Sequence, residues 1–168
     1  KCDRDGAEPE RVMAEIKTRL GATPIAIQAP LFTPKGLSAR GAGLVLESSR
    51  ASGATFDGVI DLVTMRARTW DTTNFGSTFT DGPIPHAHVP IASRAREKML
   101  EGIAELDDEL MSSWVSGREL APEANRSALR RVTLSGRGVP TLVGAAFRNQ
   151  GIHNLLDAVL DYLPSPLD

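Results

Sequence analysis

The residues best placed to meet a small molecule lie in Val139–Asp168. Val139, Leu142 and Val143 form a short apolar run bounded by Pro140 and Gly144, and Asn149–Gly151 reads as a turn. Ile152, Leu155, Leu156, Val159, Leu160 and Leu163 then recur at helical spacing. The pattern predicts a buried strand, a loop and an amphipathic helix. Ligands of open α/β sheets collect where the carboxyl end of a strand feeds the next helix, so the backbone of Gly144, Ala145, Ala146 and Phe147 is offered to one. Other chemistry-bearing residues point less far. His86-Ala87-His88 has the spacing that begins a metal site, but a third ligand is not evident and the single cysteine, Cys2, lies far away in sequence; no metal is expected. His153, on the final helix, reads as an exposed or partly buried helix residue and not as a catalytic base. Gly136-x-Gly138 has half of a dinucleotide fingerprint but precedes the strand instead of following it.

The elements that must carry these residues read as α/β. Val12, Ile16 and Leu20 share one face of a helix over Glu8–Leu20, with Pro9 at its start and Gly21 past its end. Pro24–Leu31 alternates as a strand. Phe32–Ala54, rich in glycine and serine, reads as a long surface loop in which Leu44-Val45-Leu46 adds a transient strand, and its Lys35, Arg40 and Arg50 read as solvated charges. Phe56–Val63 and Met65–Trp70 read as a pair of strands, followed by two short segments through Asn74–Pro90. Ala92–Trp114 is expected to be the longest helix, its core face built from Met99, Ile103, Leu106, Leu110 and Trp114. Glu97, Glu101, Glu105 and Asp108 form an acidic stripe on its other face. Pro122–Leu134 is a further helix, with Glu123 in its first turn and Arg130 and Arg131 near its end, as the helix dipole prefers.

Composition bounds the class. A chain of 168 residues with 41% hydrophobic and 24% charged residues buries one good core. A formal charge of −2 leaves no overall electrostatic footprint for nucleic acid. One cysteine excludes an internal disulfide framework and fits a reducing compartment. No apolar run approaches the roughly 18 residues that span a bilayer, so no membrane partner is expected, and no signal or transit peptide is visible.

Taken together with Lys1-Cys2-Asp3, the Gly144-Ala145-Ala146-Phe147 loop carries a resemblance to the elongation factor G family of translational GTPases. Lys1, Cys2 and Asp3 match the last three positions of the family's fourth GTPase motif, Asn-Lys-x-Asp. Gly144-Ala145-Ala146-Phe147 matches the fifth, usually Gly-Ser-Ala followed by Phe or Leu, and Asp161-Tyr162-Leu163-Pro164-Ser165-Pro166 resembles the close of that GTPase domain. Gly58-Val59-Ile60-Asp61-Leu62 resembles a segment of the family's inserted subdomain, G′. The resemblance covers essentially the whole chain apart from an apparent insertion near Leu37–Thr55. It implies the C-terminal part of a P-loop GTPase domain: residues 1–30 with the fourth motif, an α+β G′-type insertion over 31–135, and residues 136–168 with the fifth motif and final helix.

The resemblance also assigns roles. Asp3 accepts the paired N1–H and 2-amino donors of guanine, a charge-assisted bidentate pair that adenine cannot offer. A site built on such a pair rejects the wrong base by roughly 10⁴-fold. Lys1 lays its stem over the base and the Ala146 N–H meets the guanine O6, with Cys2 and Phe147 completing the two motifs. At Ala145 the family's usual serine is missing, which implies weaker guanine binding. The implied ligand is GTP or GDP, with Mg²⁺ and the phosphates held by residues outside this stretch: it contains no Gly-x-x-x-x-Gly-Lys-Ser/Thr loop, so no catalytic residue is expected here and the stretch should not hydrolyse GTP by itself. Glu101 and Glu105 align with acidic positions of a helix implicated in contacting the ribosomal stalk protein.

Within the family, Ala104-Glu105-Leu106-Asp107-Asp108-Glu109, Arg131-Val132-Thr133-Leu134 and Val139-Pro140 are closer to the mitochondrial type-2, ribosome-releasing form. That form acts with the recycling factor in the mitochondrial matrix to split ribosomes. Translocation, as in the bacterial cytoplasm, is the alternative within the family, and a non-catalytic stalk-binding module is the alternative from another class. Because upstream strands are expected to pair with the Val139 strand, marginal stability in isolation is expected.

Overall fold

Proline and glycine punctuation places the first helix of the computed structural model, which describes residues 1–4, 7–33, 54–74, 76–117, 120–166 and 168. This helix, α1, runs over Pro9–Leu20 with proline in its first turn, Lys17 and Arg19 in its last, and Gly21 closing it. None of its residues is buried, and Leu20 is 75% exposed, so the apolar face read from Val12, Ile16 and Leu20 is not a core face among the described elements.

The expected strand over Pro24–Leu31 is two strands in two sheets. β1, Pro24–Ala26, pairs in parallel with Val139–Thr141, the last strand, in register Pro24↔Val139 to Ala26↔Thr141. β2, Gln28–Thr33, pairs antiparallel with β3, Thr55–Asp61, which continues to β4, Arg66–Trp70, and β5, Phe79–Gly82, in the order β2-β3-β4-β5. Ile27 makes the change of sheet: its N–H donates to the Thr141 carbonyl at 3.1 Å, and its carbonyl accepts from the Leu62 N–H at 3.0 Å. The apolar alternation runs on through Ile27, so the pattern in the sequence carries no mark of the switch.

The loop expected over Phe32–Ala54 begins later than expected, and its last residue is buried. Phe32 and Thr33 belong to β2, and Phe32 and Ala54 are buried. The Gly/Ser-rich remainder, with Leu44-Val45-Leu46 and Lys35, Arg40 and Arg50, lies outside the described residues. The expected strand pair is the β3–β4 hairpin, but Leu62 and Val63 belong to its turn. There the Asp61 carboxylate accepts from the N–H groups of Val63 at 2.8 Å and Thr64 at 2.9 Å, and Met65 turns the chain with a φ of 54°. The two short segments expected between Asn74 and Pro90 are β5 and a 3-10 turn over His86–His88.

The helix expected over Ala92–Trp114 is broken. α2 spans Val89–Ala104 and α3 spans Asp108–Val115. Asp107 lies between them in extended conformation, and its carboxylate accepts from the Leu110 N–H at 2.8 Å, which is an N-cap. The same carboxylate accepts two hydrogen bonds of 2.8 Å from Arg131 of α4, Pro122–Leu134. The Arg131 guanidinium holds the Asp107 carboxyl below the usual carboxylate range against the opposing effect of desolvation. An acid inside the expected helix is therefore a stop and a start. It divides the acidic stripe: Glu97 and Glu101 lie on α2, Glu105 caps its end, and Asp108 opens α3.

The last strand, β6, Val139–Thr141, leaves Leu142 and Val143 half-buried beyond its end. The final helix, α5, runs over Ile152–Tyr162, one residue short of Leu163. Its buried residues are Asn154 and Tyr162, whereas Leu155, Leu156, Val159, Leu160 and Leu163 are exposed, Leu160 by 81%. Polar clamps explain that orientation. Arg68 of β4 donates to the Asn154 side chain at 3.3 Å while holding Asp81 of β5 at 2.6 and 2.8 Å. Arg130 of α4 donates to the carbonyls of Asp161 at 3.0 Å and Leu163 at 2.9 Å, satisfying the helix end.

Two apolar clusters result. The larger joins Ile25, Ile27, Leu31 and Ile60 to Met99, Ile103, Leu110, Leu129, Val132 and Tyr162. The smaller collects Cys2, Phe32, Ala54, Phe56, Val59, Trp70 and Ala145 on the other face of the antiparallel sheet.

Candidate functional site

Beyond β6 the chain meets segment 1–4. The Gly144 carbonyl accepts from the Cys2 N–H at 3.0 Å and from the Lys1 nitrogen at 3.1 Å. A side chain at position 144 would not fit, because its Cβ would stand 2.8 Å from the Gln150 carbonyl oxygen. The reason is the closed loop that follows: the Ala145 N–H donates to the Gln150 carbonyl at 2.9 Å, the Gln150 N–H returns to the Ala145 carbonyl at 3.3 Å, and Ala146–Arg148 turns between them.

The floor of the loop is apolar. Cys2 and Ala145 are buried in the smaller cluster beside Phe56 and Trp70, so what these two offer outward is backbone. Gln150, itself buried, donates from its side-chain amide to the Phe56 carbonyl at 3.1 Å and so ties the loop to β3. A second tie is steric. Gly76, with a φ of 68°, lies so close that a Cβ there would stand 2.6 Å from the Arg148 carbonyl oxygen. The antiparallel sheet thus holds the loop from two directions.

The rim is polar. The Asp3 carboxylate is shielded, with its side chain 13% exposed, and one of its oxygens lies 3.5 Å from Arg148 Nε and 3.9 Å from Arg4 Nε. Among the described residues the Ala146 N–H has no acceptor. A shielded carboxylate and a free N–H at one corner are complementary to a ligand that presents paired donors beside an acceptor. Lys1 is exposed, and Phe147, 97% exposed, stands in solvent at the loop tip.

Of the residues singled out from sequence, Lys1, Cys2, Asp3, Ala145, Ala146 and Phe147 therefore come together, from segments more than a hundred positions apart. Glu101 and Glu105 are exposed on and just past α2 and do not belong to this corner. His86 is exposed while His88 is buried, so the pair does not present two ligands side by side; among the described residues no three metal-ligating side chains gather. His153 is exposed on α5, its ring 5.5 Å from that of Phe79. A cleft of about 490 Å³ lined by Val63, Met65, Arg96, Leu120 and Pro122 shares no residue with the site.

Sequence reasoning passed over Arg148, Gln150 and Gly76. Gln150 stands before a glycine in a predicted turn, and a polar side chain there reads as solvated; Gly76 lies about seventy positions from the loop that it admits. Only the fold makes them neighbours.

No protein-family model matches the chain. Its structure is similar to the crystal structure of ttk003000868 from Thermus thermophilus, with a TM-score of 0.69 and 23% sequence identity, over 96% of this chain and 21% of that one. The chain thus spans about a fifth of the length of the solved structure it matches. The fold is mixed α/β, with a parallel pair of strands joined to an antiparallel sheet, and it is shared with that longer chain.

Proposed function

We propose that this chain is the base-selecting part of a translational GTPase that works on the ribosome. The observation that carries the reading is the union of Asp3 and the free Ala146 N–H at one corner, made by the hydrogen bond of the Cys2 N–H to the Gly144 carbonyl. Guanine presents its N1–H and 2-amino group beside each other with O6 adjacent; Asp3 takes the donor pair and the Ala146 N–H donates to O6. Lys1 covers the base with its stem. In the parent protein the phosphates of GTP or GDP and the Mg²⁺ are held by residues outside these 168, and Mg²⁺ supplies charge neutralisation for phosphoryl transfer there.

The finer assignment rests on the resemblance. It makes the protein a mitochondrial ribosome-recycling GTPase that splits subunits with the recycling factor, with exposed Glu101 and Glu105 as the surface for the stalk protein. Subunit splitting in the presence of the recycling factor, measured beside translocation by the same protein, separates that activity from its relative; translocation without splitting overturns the assignment.

The base-binding reading is tested by the affinity of the full natural chain for GDP, ADP and xanthosine diphosphate. GDP should bind and ADP should not. Asp3→Asn should weaken GDP by about one to two orders of magnitude, because a charge-assisted pair is lost. The same variant should gain xanthosine diphosphate, whose 2-oxo group accepts from the new amide. If GDP fails to bind, or if it binds equally well to Asp3→Asn, the chain is a non-catalytic module whose exposed acids are its working surface.

A further inference from the structure

We propose that Arg148 sets how tightly this site takes its base, by holding the Asp3 carboxylate where the donor edge of guanine would sit. The inference rests on the base-binding reading above and adds to it a residue that competes with the ligand from within the loop.

Three observations carry it. First, Arg148 Nε and Arg4 Nε approach the same Asp3 oxygen, at 3.5 and 3.9 Å. A bidentate donor edge needs both oxygens, so a base must displace the nearer guanidinium or share an oxygen with it. Second, Asp3 is 13% exposed, so little of its carboxylate is open for a second partner to use. Third, Arg148 is held there by its backbone. Its N–H donates to the Ala145 carbonyl at 2.8 Å, its carbonyl fills the space that Gly76 leaves, and Asn149 turns the chain directly after it with a φ of 54°. The backbone from which the Arg148 side chain reaches Asp3 is thus fixed beside the carboxylate, while the side chain itself is largely exposed.

The strength of the competition follows from the contact. At 3.5 Å and with the Arg148 side chain 63% exposed, the pair is Coulombic and not a hydrogen bond, so it hinders a ligand by no more than about fivefold. Arg148 therefore tunes the site without closing it. Arg4, more exposed and farther from the oxygen, contributes less.

The experiment is equilibrium dialysis of GDP and ADP against the full natural chain, as wild type, Arg148→Lys and Arg148→Ala, at about 0.05 and 0.5 M salt. Arg148→Ala should bind GDP more tightly, by up to about fivefold at low salt. Arg148→Lys, which keeps the charge, should stay within about twofold of wild type, and the difference between wild type and Arg148→Ala should close at high salt as the pair is screened. A purely structural role would not follow salt in this way. If Arg148→Ala melts earlier than wild type, Arg148→Met, which keeps the apolar stem, replaces it. Equal or weaker GDP binding in the charge-free variant, with GDP still preferred over ADP, overturns the proposal and leaves the base-binding reading standing. Absence of GDP binding in every variant overturns both.

Discussion

Tyr162 is the single tyrosine of the chain, so its phenol can be followed by absorbance alone. Burial against the larger cluster, with Asp61 adding to it and Arg126 opposing, pushes its pKa up to about 12. An acid whose pKa is raised on folding keeps its proton longer in the native state than in the unfolded one. Its contribution to stability is therefore complete below the unfolded value of about 10 and is lost as pH rises through the folded value. The absorbance midpoint of native protein should lie near 12. Stability should fall from about pH 10 upward, and Tyr162→Phe should flatten that fall. A native midpoint close to that of free tyrosine would contradict the burial described. At the same scale, Asp3 and Ala146 were singled out because Lys1–Asp3 and Gly144–Phe147 resemble two motifs of one family, and not by residue type, since an aspartate among Cys2, Arg4 and Asp5 reads as a solvated charge. The role of Arg148 had no such mark, because an arginine after an exposed Phe147 has no signature until its partner is known.

At the scale of elements, helix boundaries were legible wherever punctuation is local. Pro9, Gly21 and Pro122 mark α1 and α4 because the cost of a missing N–H or of a left-handed residue is felt within one turn. The break between α2 and α3 was missed although Asp107 stands at the right place for a cap, since Asp108 also continues the spacing of the acidic stripe from Glu101 and Glu105. Arg131, from another helix, helps decide between the two. The loop that carries the candidate site depends in the same way on a distant element. Gly76→Ala should be destabilising by about 1–3 kcal/mol, because it places an L side chain at positive φ and drives a Cβ toward the Arg148 carbonyl. It should also shift the amide resonances of Ala145–Gln150 while leaving those of α4 in place. An unchanged urea midpoint with unchanged resonances would show that the 71–78 turn does not support the loop.

Across the whole molecule, the exposed leucines and valines of α1 and α5 decide what stability to expect. Leu155, Leu156, Val159 and Leu160 of α5, with Leu163 just past its end, form one stripe left uncovered by the described residues, and Val12 and Leu20 lie exposed on α1. Apolar area left in water contributes nothing to folding and invites association. The 168-residue stretch by itself should therefore bind a hydrophobic dye and melt at the low end of, or below, the range of about 45–65 °C typical of single domains. A sharp calorimetric transition above that range, without dye binding, would show that these faces are covered within the stretch. Legible in the residues themselves were the α/β class, most of the helices and the β3–β4 hairpin. These follow from periodicity, turn chemistry and residue type, each of which acts within a few residues. Tertiary contacts decided that Ile27 changes sheets, that Asp107 divides a helix, that the apolar stripe of α5 is not its core face, and that Gly76, Gln150 and Arg148 shape the loop. Each of those depends on a partner strand, a facing guanidinium or a neighbouring carbonyl far away along the chain, and periodicity carries no information about such a partner.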